Sequence, residues 1–309
     1  MLPKGFRFIL SEMLKFLNKY NFSFNYDLGS KTWFGTGGKC LCFITSDSER
    51  VIRIILKYFK KILPVFIIGA GSNLIVRDGG INGIVIKLGK TFSQITLNKK
   101  KSILQIGGSA KDYQISKFCL ENNITGFEFL SGIPGTLGGN LKMNAGCYGQ
   151  EICDNFLECE VINSEGKKIF KKKNDISFGY RSSTLGDDIV ISAKFKVSYD
   201  KKKKINDKIK IIIKDRKKSQ PLGVRTGGST FSNPKNHSAW KLIDAIKYRG
   251  KTSGGAKVSE HHSNFFINSN SATSLDLELL GEDIRTKVWD KYKIKLKWEI
   301  VRIGKYKKI

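Results

Sequence analysis

Two stretches of this chain place glycine where a backbone must come close to something bulky and anionic. "IIGAGSNLIVRDGG" (67–80) follows an apolar run, and "GFEFLSGIPGTLGGNLKMNAGCYG" (126–149) holds seven glycines in 24 positions, with no carboxylate after Glu128 inside the stretch. Where no Cβ intrudes, successive backbone N–H groups can converge on an anion. One such turn serves equally well as a tight bend with positive φ. Two of them, at 69–73 and 132–139, can hold one diphosphate between them, and Ser131, Thr136, Asn140 and Asn144 add neutral hydrogen-bonding groups. The commoner phosphate motifs fail here. A dinucleotide-binding GxGxxG needs glycine at position 74, which is Leu74, and then a helix, where this chain offers strand-like runs. "GKTS" (250–253) lacks the earlier glycine of a phosphate loop, because position 245 is Ala245.

Acid–base candidates are few. Glu299 sits between Trp298 and Ile300, an apolar setting in which burial raises a carboxyl pKa. Arg181 in "FGYRSS" reads by itself as a surface ion pair, and Ser229 in "GGSTF" by itself as a turn former. The three histidines and six cysteines show no C-x-x-C pair and no zinc spacing, so no metal site is expected and the cysteines read as reduced intracellular thiols.

The 309 residues carry a formal net charge of +28, which first points to nucleic acid or an anionic surface. Only ten of the 55 basic residues are arginine, however, and the lysines are scattered among isoleucine and asparagine throughout. A solvated lysine-rich surface explains that pattern better than a nucleic-acid interface, which uses arginine forks and interleaved aromatics. No run reaches the length of a membrane span, and the start "MLPKGFRFILSEMLKFL" is broken by Lys4, Arg7 and Glu12. A cytoplasmic protein is expected, binding neither nucleic acid nor membrane.

The elements that must position these groups follow from pattern. Val51, Ile54, Ile55, Tyr58 and Phe59 recur at helical spacing over 48–61. "CLCFIT", "PVFII" and "GIVIKL" read as strands, "ITLNKKKSILQIG" as a hairpin, 111–122 as a helix, and "FLECEVI" and "DIVISAKFKVSY" as strands. "DKKKKINDKIKIIIKDRKKSQPLG" reads as a helical boundary segment or linker. The last third reads as helix "SAWKLIDAIKY", strand "NFFIN", long helix "SLDLELLGEDIRTKVWDKY" and a final strand "KLKWEIVRI", and 1–20 as a helix without a role. This mixture argues for α+β layers in several domains.

Seven motifs in order, "TWFGTGG", "IGAGSNLIVRDGG", "SGIPGTLGGNLKMNAGCYG", "FGYRSS", "QPLGVRTGGSTFSNP", "GGAKVSEHHSNFFIN" and "KWEIVRIG", make the chain resemble the UDP-N-acetylenolpyruvoylglucosamine reductases, the MurB family, from about residue 28 to 304. The resemblance implies an α+β fold: an FAD-binding module of the PCMH/MurB type in two subdomains, 1–88 and 89–202, followed by an α+β substrate-binding domain at 203–309. It implies FAD held by Gly35 and Thr36, by Gly69, Ala70, Gly71, Ser72, Asn73 and Leu74, by Gly132, Ile133, Pro134, Gly135, Thr136, Gly138 and Gly139, and by Asn144, Ala145, Gly146 and Ile189. It implies hydride transfer from NADPH through the flavin to an enolpyruvyl UDP-sugar, giving UDP-N-acetylmuramate for the cell wall. Arg181 matches the family's arginine for the substrate carboxylate, Ser229 its proton donor and Glu299 its acidic partner, while Tyr180, Asn233, Lys241, His261 and Asn264 fall in motifs that contact the UDP-sugar.

Departures from the family pattern stand at Lys257, His261 and Trp298. Only "SSTLGDD" (182–188) separates Arg181 from the next strand, leaving no room for the tyrosine-bearing loop of one branch, so the chain resembles the compact second type. The expected assembly is a monomer or weak homo-oligomer. The alternative on the same module is an FAD-dependent oxidase of another small substrate.

Overall fold

The computed structural model describes Lys15, Phe16 and residues 19–307; most of the helix expected at 1–20 lies outside the described residues. The first sheet runs Ser23–Tyr26, Cys40–Ser46, Ile81–Leu88, Val65–Ile68, the first pair antiparallel and the others parallel. Its crossover helix starts at Glu49, where the Ser48 hydroxyl accepts the Val51 N–H. Beyond Ile54 this helix widens into a π turn, Ile55–Phe59, closed by the Lys60 N–H on the Ile55 carbonyl. The buried stripe is Val51, Ile52, Ile55, Leu56 and Phe59, and Tyr58, expected inside, is exposed.

The second sheet is wholly antiparallel in the order Lys168–Lys172, Phe156–Ile162, Ile189–Lys196, Ile103–Gly107, Ile95–Asn98. Alternating residues from these strands meet Phe127, Phe129, Ile115 and Leu141 in one apolar core, with the Phe156 and Phe195 rings edge to face at 5.9 Å. The helix Lys202–Ser219, expected as boundary or linker, belongs to the wall of this body. Ile205 and Ile212, two turns apart, are buried, and Lys208 lies 3.4 Å from the buried Glu128 carboxylate.

The third body packs the helices Ala239–Ala245 and Ser274–Tyr292 against the short antiparallel sheet Thr252–Ser253, Ala256–Val258, Phe266–Asn268. Thr273 and Asp276 form a capping box on the longer helix, and the Asp78 carboxylate accepts the Ser274 and Leu275 N–H groups at 3.0 and 3.1 Å. The final strand splits where one was expected. Lys297–Trp298 pairs with Phe231–Ser232, whereas Val301–Ile303 pairs in parallel with Leu74–Val76 beside the first glycine turn. The N–H groups of Glu299 and Ile300 both reach the Thr230 carbonyl, at 2.8 and 3.5 Å, which ends one ladder and lets the chain cross to the other. Near this seam Glu278, almost fully buried, receives Arg77 at 2.8 Å, Arg302 at 3.2 Å and the Tyr306 hydroxyl at 2.9 Å.

Candidate active site

The two glycine turns touch. The Ser72 hydroxyl donates to the Pro134 carbonyl, and a Cβ on Gly69 would fall 2.5 Å from Thr136 Oγ1. On the far side of the second turn, a Cβ on Gly135 would lie 2.7 Å from Asp112 Oδ2 and 3.0 Å from Asn140 Oδ1. Only glycine permits either approach. Ser131 Oγ, Asp112 Oδ2 and Asn144 Oδ1 are buried without a partner in or beside the second turn, a set of polar atoms that a ligand with hydrogen-bonding groups fits. Asp112 is buried with Asn140 donating to Oδ1 at 2.5 Å, and burial pushes its carboxyl pKa up to about 8, so it adds no full negative charge against a diphosphate.

Arg181 and Glu299 converge on the same place from distant parts of the chain. Tyr180 and Arg181 are the two loop residues of a hairpin between Phe178–Gly179 and Ser182–Ser183, and Arg181 adopts φ +54°. Its Nη2 donates to the Gly146 carbonyl at 2.7 Å, and its Nε lies 3.3 Å from Glu299 Oε1. Glu299 is held by its backbone: its carbonyl accepts Asn73 Nδ2 at 3.1 Å. Burial raises the Glu299 carboxyl above the usual range while Arg181 pulls it back. Ser229 immediately precedes Thr230, the residue that binds the Glu299 N–H, and bridges to Phe265.

Other expected contacts fall in two groups. Tyr180, Lys241 and His261 are exposed, with Tyr180 under the Arg181 guanidinium at 4.9 Å and Lys241 over the Trp240 ring at 5.6 Å. Asn264 is spent on the protein itself, whereas Asn233, exposed, uses only its Oδ1 there. Asn233 Oδ1 accepts the Ala239 N–H at 2.9 Å, and buried Asn264 exchanges both amide bonds with the Phe231 backbone, at 3.0 and 2.8 Å, so both act as braces for the Ser229 segment and the helix after it. Among the cofactor set, Thr36 donates to the Ala272 carbonyl, Gly35 lies under the Arg225 side chain, Ala145 accepts from Ile152, Leu74 pairs with Val301, and Ile189 packs in the core beneath the first sheet. Gly132, Ile133, Gly138 and Gly139 remain within the second turn and the helix Leu137–Met143 that it opens into, and Ala70 and Gly71 within the first.

Sequence reasoning missed Arg216. Its side chain crosses Gly132 beside Cys147, burial pulls its pKa down, and no carboxylate pairs with it among the described residues. Its signal is its identity, an arginine in a helix of lysines. Asp112 also escaped, carrying no local pattern.

Two glycine turns in contact, with orphaned polar atoms beside the second, form a site for a ligand with an anionic bridge. Residues 40–169 match the FAD binding domain family, and residues 220–303 match the family of the UDP-N-acetylenolpyruvoylglucosamine reductase C-terminal domain. The UDP-N-acetylenolpyruvoylglucosamine reductase of Rickettsia massiliae is 43% identical over 91% of this chain and 95% of its own length, and that of Orientia tsutsugamushi strain Ikeda is 40% identical over 91% and 94%. The crystal structure of UDP-N-acetylenolpyruvylglucosamine reductase from Thermus caldophilus superposes with a TM-score of 0.78 at 27% identity, covering 92% of this chain and 98% of that one. The chain belongs to the UDP-N-acetylenolpyruvoylglucosamine reductase family and is an FAD-dependent enzyme of peptidoglycan synthesis.

Proposed function

We propose that Arg181, Glu299 and Ser229 carry the reduction of an enolpyruvyl UDP-sugar to UDP-N-acetylmuramate, with NADPH as the hydride donor. The observation that carries this reading is the Arg181–Glu299 pair, tied through Asn73 to the first glycine turn and through Gly146 to the segment following the second. Bound FAD supplies the hydride chemistry. The backbone of 69–73 and 132–139 holds its diphosphate, with the Ser131 hydroxyl as a free donor.

Arg181 has donors left after Gly146 and Glu299, and it uses them on the substrate carboxylate, where negative charge builds as the double bond is reduced. Glu299 fixes the guanidinium and adjusts the proton balance there. The Ser229 hydroxyl hands one proton to the carbon that bears the carboxylate, where the charge lies once hydride has been added to the far end of the double bond. Tyr180, Lys241 and His261, all exposed, face the nucleotide-sugar in this reading. The reading includes a cytoplasmic monomer or weak homo-oligomer, divided at 1–88, 89–202 and 203–309, with the helix Lys202–Ser219 of the third segment packed on the second body. Among the described residues no helix is long and apolar enough to cross a membrane.

The test is the anaerobic visible spectrum of the purified protein. A flavin band bleached by NADPH and restored by the enolpyruvyl UDP-sugar is expected. A band that NADPH bleaches and only oxygen restores would overturn the reading in favour of an oxidase.

A further inference from the structure

The hairpin that presents Arg181 has little to hold it. Each arm is two residues long, Gly179 and Tyr180 are exposed, and Arg181 sits in the left-handed region, which costs a non-glycine residue on the order of 1–3 kcal/mol. A two-stranded ribbon of this size is not stable in water without outside anchors. Phe178 packs on Phe156 with ring centroids 5.4 Å apart, and the Ser183 hydroxyl donates to the Lys142 carbonyl at 3.0 Å, but both anchors lie at the base. The anchor nearest the tip is Asn144.

Asn144 ends the helix Leu137–Met143, which opens at the second glycine turn, and at φ +42° it caps that helix in the left-handed conformation asparagine tolerates. Its side chain is buried. One Nδ2 hydrogen goes to Glu151 Oε2 at 2.7 Å and the other to the Gly179 carbonyl at 3.1 Å, two residues before Arg181. Glu151 in turn pairs across the short ladder with Gly146, whose carbonyl receives Arg181 Nη2. Arg181 is thus gripped on both sides by one small frame, Asn144–Glu151–Gly146, that continues directly from the cofactor turn. Both donors of the amide are used within the protein; only Oδ1 is free.

We infer that Asn144 is a positioning residue for catalysis: its amide clamps the Gly179 carbonyl and so sets the Arg181 guanidinium against Glu299 and the substrate carboxylate, coupling cofactor turn to proton chemistry. This rests on the catalytic reading of Arg181 proposed above.

Asn144→Gly keeps the left-handed backbone and removes the amide with its bonds to Gly179 and Glu151, and Asn144→Asp keeps the shape while turning a donor into an acceptor that repels Glu151 and the Gly179 carbonyl. Three readouts separate the roles: flavin retained per protein after desalting, the rate of flavin bleaching by NADPH, and the rate of reoxidation by the enolpyruvyl UDP-sugar as a function of pH. Flavin retention and bleaching are read in the same protein, because Asn144 Oδ1 lies among the polar atoms beside the second turn, and the effect expected is the fall in reoxidation over and above any change in those two. Reoxidation slows ten- to a hundredfold, roughly the effect of an ångström of misplacement. The limb of its pH profile that reports Glu299 moves to higher pH, since Arg181 is the charged group that holds that carboxyl down; Cys147 lies near both Arg181 and Arg216, and neither Cys147 nor Arg216 acts on Glu299. Loss of flavin in Asn144→Gly would assign the amide to the cofactor instead, and an unmoved profile with parental rates would assign it to folding alone; either overturns the inference. Arg181→Ala in the same assay separates the two levels: parental reoxidation there would sink the catalytic reading itself, whatever Asn144 does.

Discussion

Arg181 Nε and Glu299 Oε1 stand 3.3 Å apart although 118 positions separate them, one at the tip of a two-residue hairpin turn and the other at the break in the final strand. The carboxyl is caught between burial, which raises its pKa, and the guanidinium, which lowers it. Removing the guanidinium leaves burial unopposed. In Arg181→Met the Glu299 limb of the pH–rate profile for the enolpyruvyl substrate is expected to move toward higher pH, along with a large fall in rate. A limb that stays in place would show that the two groups do not share a field in the working enzyme.

Ser229→Ala should divide the reaction in two. Bleaching of the flavin by NADPH needs no proton from this hydroxyl and is expected to run at the parental rate. Reoxidation by the enolpyruvyl substrate should drop on the order of 10²–10⁴-fold, the usual contribution of a positioned proton donor. Stopped-flow absorbance of each half gives the answer, and equal slowing of both would remove Ser229 from the proton path.

Asp112 gives a stability prediction with a definite sign. Its folded pKa, about 8, lies above that of an unfolded aspartate, near 4, so the folded state holds the extra proton between those values. Stability from this group is therefore full below about pH 4 and is lost as pH rises toward 8. Its place as the first residue of the helix Asp112–Glu121 favours the charged form, but by only up to ~1 kcal/mol, too little to cancel burial. Urea titrations of FAD-saturated protein at pH 5 and pH 8 should show a fall in unfolding free energy that Asp112→Asn reduces by roughly a few kcal/mol. The same slope in both proteins would mean that Asp112 is ionised throughout.

Glu278 holds the seam between the first sheet and the long C-terminal helix. Glu278→Ala leaves Arg77 and Arg302, each about a quarter exposed, without their buried partner, and should cost roughly 3–5 kcal/mol by chemical denaturation. Glu278→Gln, which keeps the shape and an acceptor, should cost less. A loss under about 1 kcal/mol in the alanine variant would mean that water takes over the role.

Much of this architecture could be read from local pattern, because most elements obey a single period. The strands Phe156–Ile162 and Ile189–Lys196 are apolar runs, and the helix Ser274–Tyr292 carries its own cap. The π turn at Ile55–Phe59 could not, because it changes the period partway along a helix. The break at Glu299 was equally hidden, since it depends on a carbonyl, that of Thr230, some seventy residues earlier. In the helix Lys202–Ser219, lysine density masked the two isoleucines that seat it. The glycine turns themselves were legible, and so was the apolar setting of Glu299. What the residues did not disclose was contact: that Ser72 reaches Pro134, or that Asn264 bonds the Phe231 backbone through both ends of its amide. An asparagine in a loop motif offers the same letters whether it faces a ligand or a peptide group.

The bond from Asn73 to the Glu299 carbonyl closes a loop of 226 residues, and the parallel pairing of Leu74–Val76 with Val301–Ile303 rests on the same closure. By loop entropy such a closure costs several kcal/mol, roughly 5, before any contact rewards it. The order of synthesis therefore runs against the order of assembly. The first glycine turn leaves the ribosome early and waits as an unsupported edge through most of translation, until the Glu299 segment arrives to seal it. Any partial chain that ends shortly before Glu299 therefore carries both glycine turns but leaves the edge Leu74–Val76 without its strand partner, the kind of open ladder that pairs with other chains.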